Sequence, residues 1–118
     1  MANKKYELTQ ETKEFLGHTL HRIKALVNVG LYVKAGELGG FIEAEANLET
    51  SGDAWVYGNA CVSGDARVSG NAWVYGDAWV YGNARVYGDA RVYGNARVSG
   101  NACVSGDACV YGRCLCVR

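Results

Sequence analysis

Residues 52–111 read GDAWVY GNACVS GDARVS GNAWVY GDAWVY GNARVY GDARVY GNARVS GNACVS GDACVY, which is ten hexads in unbroken register. A fixed period dictates the architecture before any local propensity does. A helix would need apolar residues three and four apart, and each glycine would cost about 1 kcal/mol relative to alanine. In an extended segment, the Ala and Val of each hexad point to the same side. The repeat therefore predicts short strands with Val in the core, separated by Gly-Asp or Gly-Asn corners.

Short strands separated by corners close only as the sides of a coil, and three hexads make an 18-residue triangular coil. The repeat resembles the left-handed parallel β-helix built from hexapeptide repeats. In that family an aliphatic residue is followed four positions later by a small one, as Val56 is by Ala60 and Val80 by Ala84. The resemblance implies the left-handed sense. We expect an all-β fold, a left-handed parallel β-helix of about four coils.

The same register extends backward from the hexads. It places Gly40 on a glycine position and Ile42 and Leu48 on inward positions, so we expect the β-helix to occupy residues 40–118. A strict spacing of eighteen would then stack Glu43 under Cys61. By the same arithmetic, Glu49 would stack under Arg67.

Residues 1–39 do not repeat. A β-helix leaves unpaired backbone groups at each end, so we predict that this segment caps the first coil within a single domain. Its pattern favours one or two strands, with a short helix around Gln10 to Phe15 as a further possibility.

Side chains eighteen positions apart lie above one another in such a coil, and one face becomes aromatic. Six aromatic side chains of 150–250 Å² each, even one third exposed, would exceed the largest apolar patch of an ordinary monomer. Trp, Tyr and Arg are also enriched in binding hot spots. We predict a partner-binding surface that consists of Trp55, Tyr57, Trp73, Tyr75, Arg91, Tyr93 and Tyr111. The alternative is that the stacked rings only stabilise the sheet, with Arg91 and Arg97 covering the tryptophans one coil below.

The other end of the β-helix has no predicted cap. We interpret its final residues as a self-association edge, either for a homodimer or for strand addition from a partner. The residues of this edge are Cys114, Leu115, Cys116 and Val117.

Composition and charge argue against several classes of function. Twelve basic and twelve acidic side chains cancel, so no global field attracts nucleic acid or an anionic membrane. No segment resembles a signal peptide or a membrane span, and five cysteines then indicate a reducing, cytoplasmic compartment. The only histidines, His18 and His21, lie outside the repeat without zinc-ligand company, so we expect no metal and no other cofactor.

The segments VKAGELGGFIEAEANLE (residues 33–49) and GNARVYGDARVYG (residues 82–94) look like a group of bacterial and phage hexapeptide-repeat proteins labelled transferase-like or polymer-forming. This resemblance implies a phage or prophage accessory protein that binds or blocks a host protein, such as a defence system component. The best-known left-handed β-helix proteins are acyltransferases, whose site needs a histidine and long inserted loops, and the hexads have neither. We therefore expect a non-catalytic binding scaffold. A self-assembling structural protein is the alternative, and an acyltransferase is the weaker one.

Overall fold

The computed structural model describes residues 5–15, 17–30, 33–50, 52–106 and 109–110. Within these ranges the chain is all-β except for one 3₁₀ turn, Glu45–Asn47. Three longer strands come first, β1 (Tyr6–Phe15), β2 (His18–Ala25) and β3 (Leu38–Ile42). Ten two-residue strands follow: β4 (Trp55–Val56), β5 (Cys61–Val62), β6 (Arg67–Val68), β7 (Trp73–Val74), β8 (Trp79–Val80), β9 (Arg85–Val86), β10 (Arg91–Val92), β11 (Arg97–Val98), β12 (Cys103–Val104) and β13 (Cys109–Val110).

The short strands form the three sides of a parallel coil. One side has the order β4-β7-β10-β13, the second β6-β9-β12, and the third β3-β5-β8-β11. Partners along the first side are Trp55, Trp73, Arg91 and Cys109, each eighteen positions after the last. The predicted β-helix of about four stacked 18-residue coils is therefore confirmed. Its left-handed sense still rests on the resemblance.

The interior of the coil consists of the Val and Ala of each hexad. The described hexads bury their valines completely, from Val56 to Val110, and the alanines from Ala54 to Ala96 are equally inaccessible. Each fully buried valine contributes roughly 1.5–3 kcal/mol. Because one coil cannot bury its own apolar residues, adjacent coils stabilise each other.

The corners explain the glycine and the alternating Asp and Asn. Gly82 has a φ of 74°, and a Cβ there would lie only 2.9 Å from the backbone nitrogen of Gly100, one coil above. Glycine is thus required both by the backbone conformation and by the space between coils. At the next position, the Asn71 side chain donates a hydrogen bond of 3.2 Å to Asp89. The amide between carboxylates replaces a like-charge contact with a favourable one.

The first coil is two residues longer than the others. Ile42 pairs with Val62 and Leu48 bridges to Val68, at spacings of twenty, whereas the spacing from Trp55 onward is eighteen. The two additional residues therefore lie in the corner between Leu48 and Trp55. Since a shift of two keeps inward residues inward, Ile42 and Leu48 are fully buried as predicted.

This longer coil corrects two of the predicted columns. The predictions that Glu43 stacks under Cys61 and Glu49 under Arg67 are wrong. Phe41 is the partner of Cys61, and the side that contains β6, β9 and β12 is displaced by the same two residues. The physical reason is that a spacing of twenty stacks the large side chains of Ile42 and Leu48 on core valines. A spacing of eighteen would have stacked them on core alanines.

The N-terminal residues form a hairpin that closes the first coil. β1 and β2 pair antiparallel, and β2 also pairs antiparallel with β3. The predicted boundary between residues 39 and 40 therefore lies inside one continuous sheet. The possible helix around Gln10 to Phe15 is wrong, since these residues belong to β1. Among the described residues, no helix has the length and apolar character needed to span a bilayer.

Two buried polar side chains anchor the hairpin to the coil. The Tyr6 hydroxyl donates a hydrogen bond of 2.6 Å to the Leu48 carbonyl, and Lys5 Nζ donates one of 2.9 Å to the Glu49 carbonyl. Burial raises the pKa of Tyr6 well above its usual range. Burial also lowers the pKa of Lys5 to about 8, although Glu49 and Asp53 partly oppose this effect. The ammonium group of Lys5 is therefore held in the folded state at an electrostatic cost.

Candidate binding surface

A column of tyrosines runs along the side formed by β4, β7, β10 and β13. Each tyrosine follows the core valine of its hexad, and the backbone N–H groups of Tyr57, Tyr75 and Tyr93 donate to carbonyls in the next coil at 2.8–2.9 Å. The rings of Tyr75 and Tyr93 stack in parallel with centroids 5.0 Å apart, and the Tyr57 ring meets Tyr75 edge-on at 6.3 Å. All three side chains are partly buried. The predicted registry of this column is confirmed, and the rings form a continuous wall.

Trp55 does not belong to the accessible surface. It is only 1% exposed, because the Tyr6 ring packs edge-on against it with centroids 6.1 Å apart and the backbone of Gly39 lies close to its indole. The expectation that Trp55 contributes to a partner-binding surface is therefore wrong. The N-terminal hairpin takes the place of a partner over this residue, which the repeat alone does not reveal.

Trp73 remains partly exposed, but its surroundings are crowded. The guanidinium of Arg91 lies 4.6 Å from the centre of its ring, and Tyr57 packs edge-on against it at 5.7 Å. Arg97 lies over Trp79 on the next side, at 5.7 Å. The predicted cation–π stacking is thus present at both tryptophans. We name the remaining accessible set the tyrosine face: Tyr57, Trp73, Tyr75, Arg91 and Tyr93.

The side formed by β3, β5, β8 and β11 is shielded at its first-coil end. Leu20, Phe41 and Cys61 form a small buried cluster outside the main core. Lys13 and Arg22 extend over the Phe41 ring, with Lys13 Nζ at 4.4 Å and the Arg22 guanidinium carbon at 4.5 Å from its centre. Burial raises the pKa of the Cys61 thiol. Lys13 Nζ lies 3.7 Å from the sulfur and partly opposes this effect.

Several predicted residues lie outside the described ranges. They are Tyr111 of the aromatic column and the self-association edge of Cys114, Leu115, Cys116 and Val117. Their roles stay predictions, as does the homodimer through that edge. The outward cysteines of the hexads, Cys61, Cys103 and Cys109, lie on three different sides of the coil.

The two histidines connect the hairpin to its surroundings. His18 Nδ1 lies 2.9 Å from Glu43 Oε2, and the other oxygen of that carboxylate accepts a hydrogen bond of 2.7 Å from the Gly64 N–H. The His18 contact, together with the Gly64 bond, lowers the pKa of Glu43. His21 Nδ1 lies 3.1 Å from the Thr9 carbonyl within the hairpin. Both rings have structural partners, and within the described ranges no group of three His, Cys, Asp or Glu side chains is placed to hold a metal ion.

The comparisons with known proteins concern the repeat region. The family model described as the YdcK beta solenoid repeat matches four overlapping segments, residues 60–76, 66–82, 78–94 and 90–106. Among curated proteins, none matches this sequence. The match agrees with the stacked coils and supports a β-helix repeat protein. It covers residues 60–106 within the regular hexads and leaves the hairpin unmatched.

Proposed function

We propose that this chain is a non-catalytic scaffold that binds another protein through the tyrosine face. The observation that supports this proposal most is the partly exposed column of Tyr57, Tyr75 and Tyr93, in which the rings contact each other from coil to coil. Tyrosine combines a large apolar ring with a hydroxyl that forms hydrogen bonds at a wet interface. Several such rings in one row form the kind of anchor on which protein interfaces depend.

The backbone beneath the column favours binding without reorganisation. The N–H of Tyr75 donates to the Val92 carbonyl at 2.9 Å, and that of Tyr93 donates to Val110 at 2.9 Å. Neighbouring rings further restrict the tyrosine rotamers, as the parallel stack of Tyr75 on Tyr93 illustrates. A surface that is already ordered loses less conformational entropy on association, so more of its contact energy contributes to affinity.

The proposed setting follows from the cysteines and from the resemblance. Cys61 and Cys103 are free thiols, as expected in the reducing cytoplasm. The family that the repeat resembles occurs in phages and prophages, so the proposed partner is a host protein that the scaffold binds or blocks.

A double variant tests the role of the tyrosine face. We propose Tyr75→Ser/Tyr93→Ser, with Tyr81→Ser on another side of the coil as the matched control. Serine is compatible with the fold, because Ser63, Ser69 and Ser99 occupy the same position of their hexads. The wild type and both variants should unfold cooperatively in a denaturant titration.

The readout is quantitative mass spectrometry of proteins retained from a bacterial lysate. We expect at least one protein to be retained by the wild type and by Tyr81→Ser, and to be lost with the double variant. Retention of the same proteins by all three forms would contradict the proposed surface. Turnover of acyl-CoA by the purified chain would contradict the non-catalytic assignment.

A further inference from the structure

The side of the coil formed by β6, β9 and β12 carries two arginines in direct register. Arg67 pairs with Arg85 in the parallel sheet, and both side chains are exposed. Like charges directly opposite each other on neighbouring strands, which lie about 4.8 Å apart, are unfavourable. Within the part of the chain that the structure describes, neither guanidinium forms an ion pair, a hydrogen bond or a ring contact.

On the other two sides of the coil, the arginine at the same hexad position lies over an aromatic ring. Arg91 stacks on Trp73 and Arg97 stacks on Trp79, each on a ring one coil below. Arg85 instead follows another arginine, so no ring lies beneath it. The guanidinium groups of Arg67 and Arg85 are therefore uncompensated, whereas equivalent groups elsewhere are satisfied within the chain.

These arginines line a groove of about 490 Å³ that runs along the stack of coils. Ser69 and Tyr87 also line the groove, which extends from Glu49 in the first coil to Cys103 in the fourth. Tyr87 is 42% exposed. The groove thus presents two fixed positive charges beside one open aromatic ring.

We propose that this groove binds a short acidic segment of a protein, with two carboxylates on Arg67 and Arg85 and the adjoining peptide packed on Tyr87. Arginine binds carboxylates through paired, charge-assisted hydrogen bonds. In an extended peptide, side chains two positions apart point to the same side and are separated by about 7 Å. Arginine and glutamate side chains are long enough to span the difference from the spacing of about 4.8 Å between coils, so two glutamates with one residue between them can reach two arginines on successive coils.

The groove favours an acidic peptide over a nucleic acid. Nucleic-acid affinity comes from the neutralisation of many phosphates, and the chain as a whole has no net charge. Glu49 lies at the first-coil end of the groove and would repel a continuous phosphate backbone. A short ligand with two negative charges places fewer charges beside Glu49 than a phosphate backbone does. The groove lies on a different side of the coil from the tyrosine face, so binding in the groove does not depend on that face.

The test is fluorescence anisotropy with a labelled, end-blocked peptide that contains glutamate, serine and glutamate in succession. Its counterpart with both glutamates replaced by glutamine is the ligand control, and a single-stranded oligonucleotide is the competing ligand. Arg85→Gln is the test variant. Arg97→Gln is the matched protein control, because it removes the same charge from the same hexad position on another side.

We expect the acidic peptide to bind at low salt and the glutamine peptide to bind at least tenfold more weakly. Arg85→Gln should weaken binding of the acidic peptide at least tenfold, whereas Arg97→Gln should change it less than about twofold. The Tyr75→Ser/Tyr93→Ser variant should bind the peptide like the wild type, which separates this proposal from the proposed function. Equal losses in Arg85→Gln and Arg97→Gln, or loss of binding in the tyrosine variant, would overturn it. Preferential binding of the oligonucleotide would equally overturn it, in favour of a nucleic-acid ligand.

Discussion

The glycines of the corners allow the stacking of coils to be measured separately from backbone strain. Gly82 and Gly100 both have positive φ, 74° and 65°. A Cβ on Gly82 would lie 2.9 Å from the nitrogen and 3.3 Å from the oxygen of Gly100, whereas a Cβ on Gly100 would meet nothing within 4 Å. The substitutions Gly82→Ala and Gly100→Ala therefore share one cost and differ in the other.

The shared cost is the left-handed backbone, which is unfavourable for alanine by about 1–2 kcal/mol. The additional cost at Gly82 is overpacking against backbone that cannot rotate away, about 1–3 kcal/mol. The Asn83 N–H, which donates to the Gly100 carbonyl at 2.8 Å, lies directly beside this contact. We expect Gly82→Ala to lower the free energy of unfolding by about 2–5 kcal/mol and Gly100→Ala by about 1–2 kcal/mol.

The assay is urea unfolding followed by tryptophan fluorescence and circular dichroism, with equal slopes required for comparison. Val80→Ala and Val98→Ala serve as controls, because both valines are fully buried in the coils that contain the two glycines. Similar losses for the two valine variants would show that the fourth coil unfolds together with the third. Equal losses for the two glycine variants would then refute the close approach of successive corners.

Two further predictions concern the hairpin that caps the first coil. Trp55→Ala should destabilise the protein by about 3–5 kcal/mol in the same urea assay, because Trp55 is a buried core residue; a loss below about 1 kcal/mol would indicate that the hairpin does not cover it. The pKa of Lys5 is about 8 in the folded state and 10.5 in the unfolded state. Between these two pH values the folded state loses the proton of Lys5 and the unfolded state keeps it. Folding therefore becomes more favourable as the pH rises from 8 to 10.5. The free energy of unfolding of the wild type relative to Lys5→Met should therefore increase by up to about 3 kcal/mol from pH 7 to pH 10, and a decrease would contradict the burial of Lys5.

The sequence predicts the regular part of the fold because each hexad repeats the same local physics. Glycine at the corner and Val in the core specify strand, direction and stacking, so the column of Tyr57, Tyr75 and Tyr93 follows from arithmetic. The two additional residues before Trp55 could not be predicted from the repeat, because a shift of two residues leaves the alternation of inward and outward side chains unchanged.

The cap was predictable only in outline. Unpaired backbone at the end of the first coil requires a cover, and residues 1–39 are the available segment. The contact between Tyr6 and Trp55 joins positions far apart in sequence that share no repeat. Nothing in the alternation of β1 specifies which outward aromatic ring it covers. This is why Trp55 is buried, whereas Tyr75 and Tyr93 remain partly exposed.

The vertical registry of side chains underlies both the tyrosine face and the arginine groove, and proton NMR tests it most directly. With tyrosines selectively labelled and Tyr93→Phe used for assignment, nuclear Overhauser contacts should connect the rings of Tyr75 and Tyr93, whose centroids are 5.0 Å apart. The ring of Tyr81, on another side of the coil, should show no contact with either. A contact between Tyr75 and Tyr81 in place of the one between Tyr75 and Tyr93 would contradict the 18-residue coil.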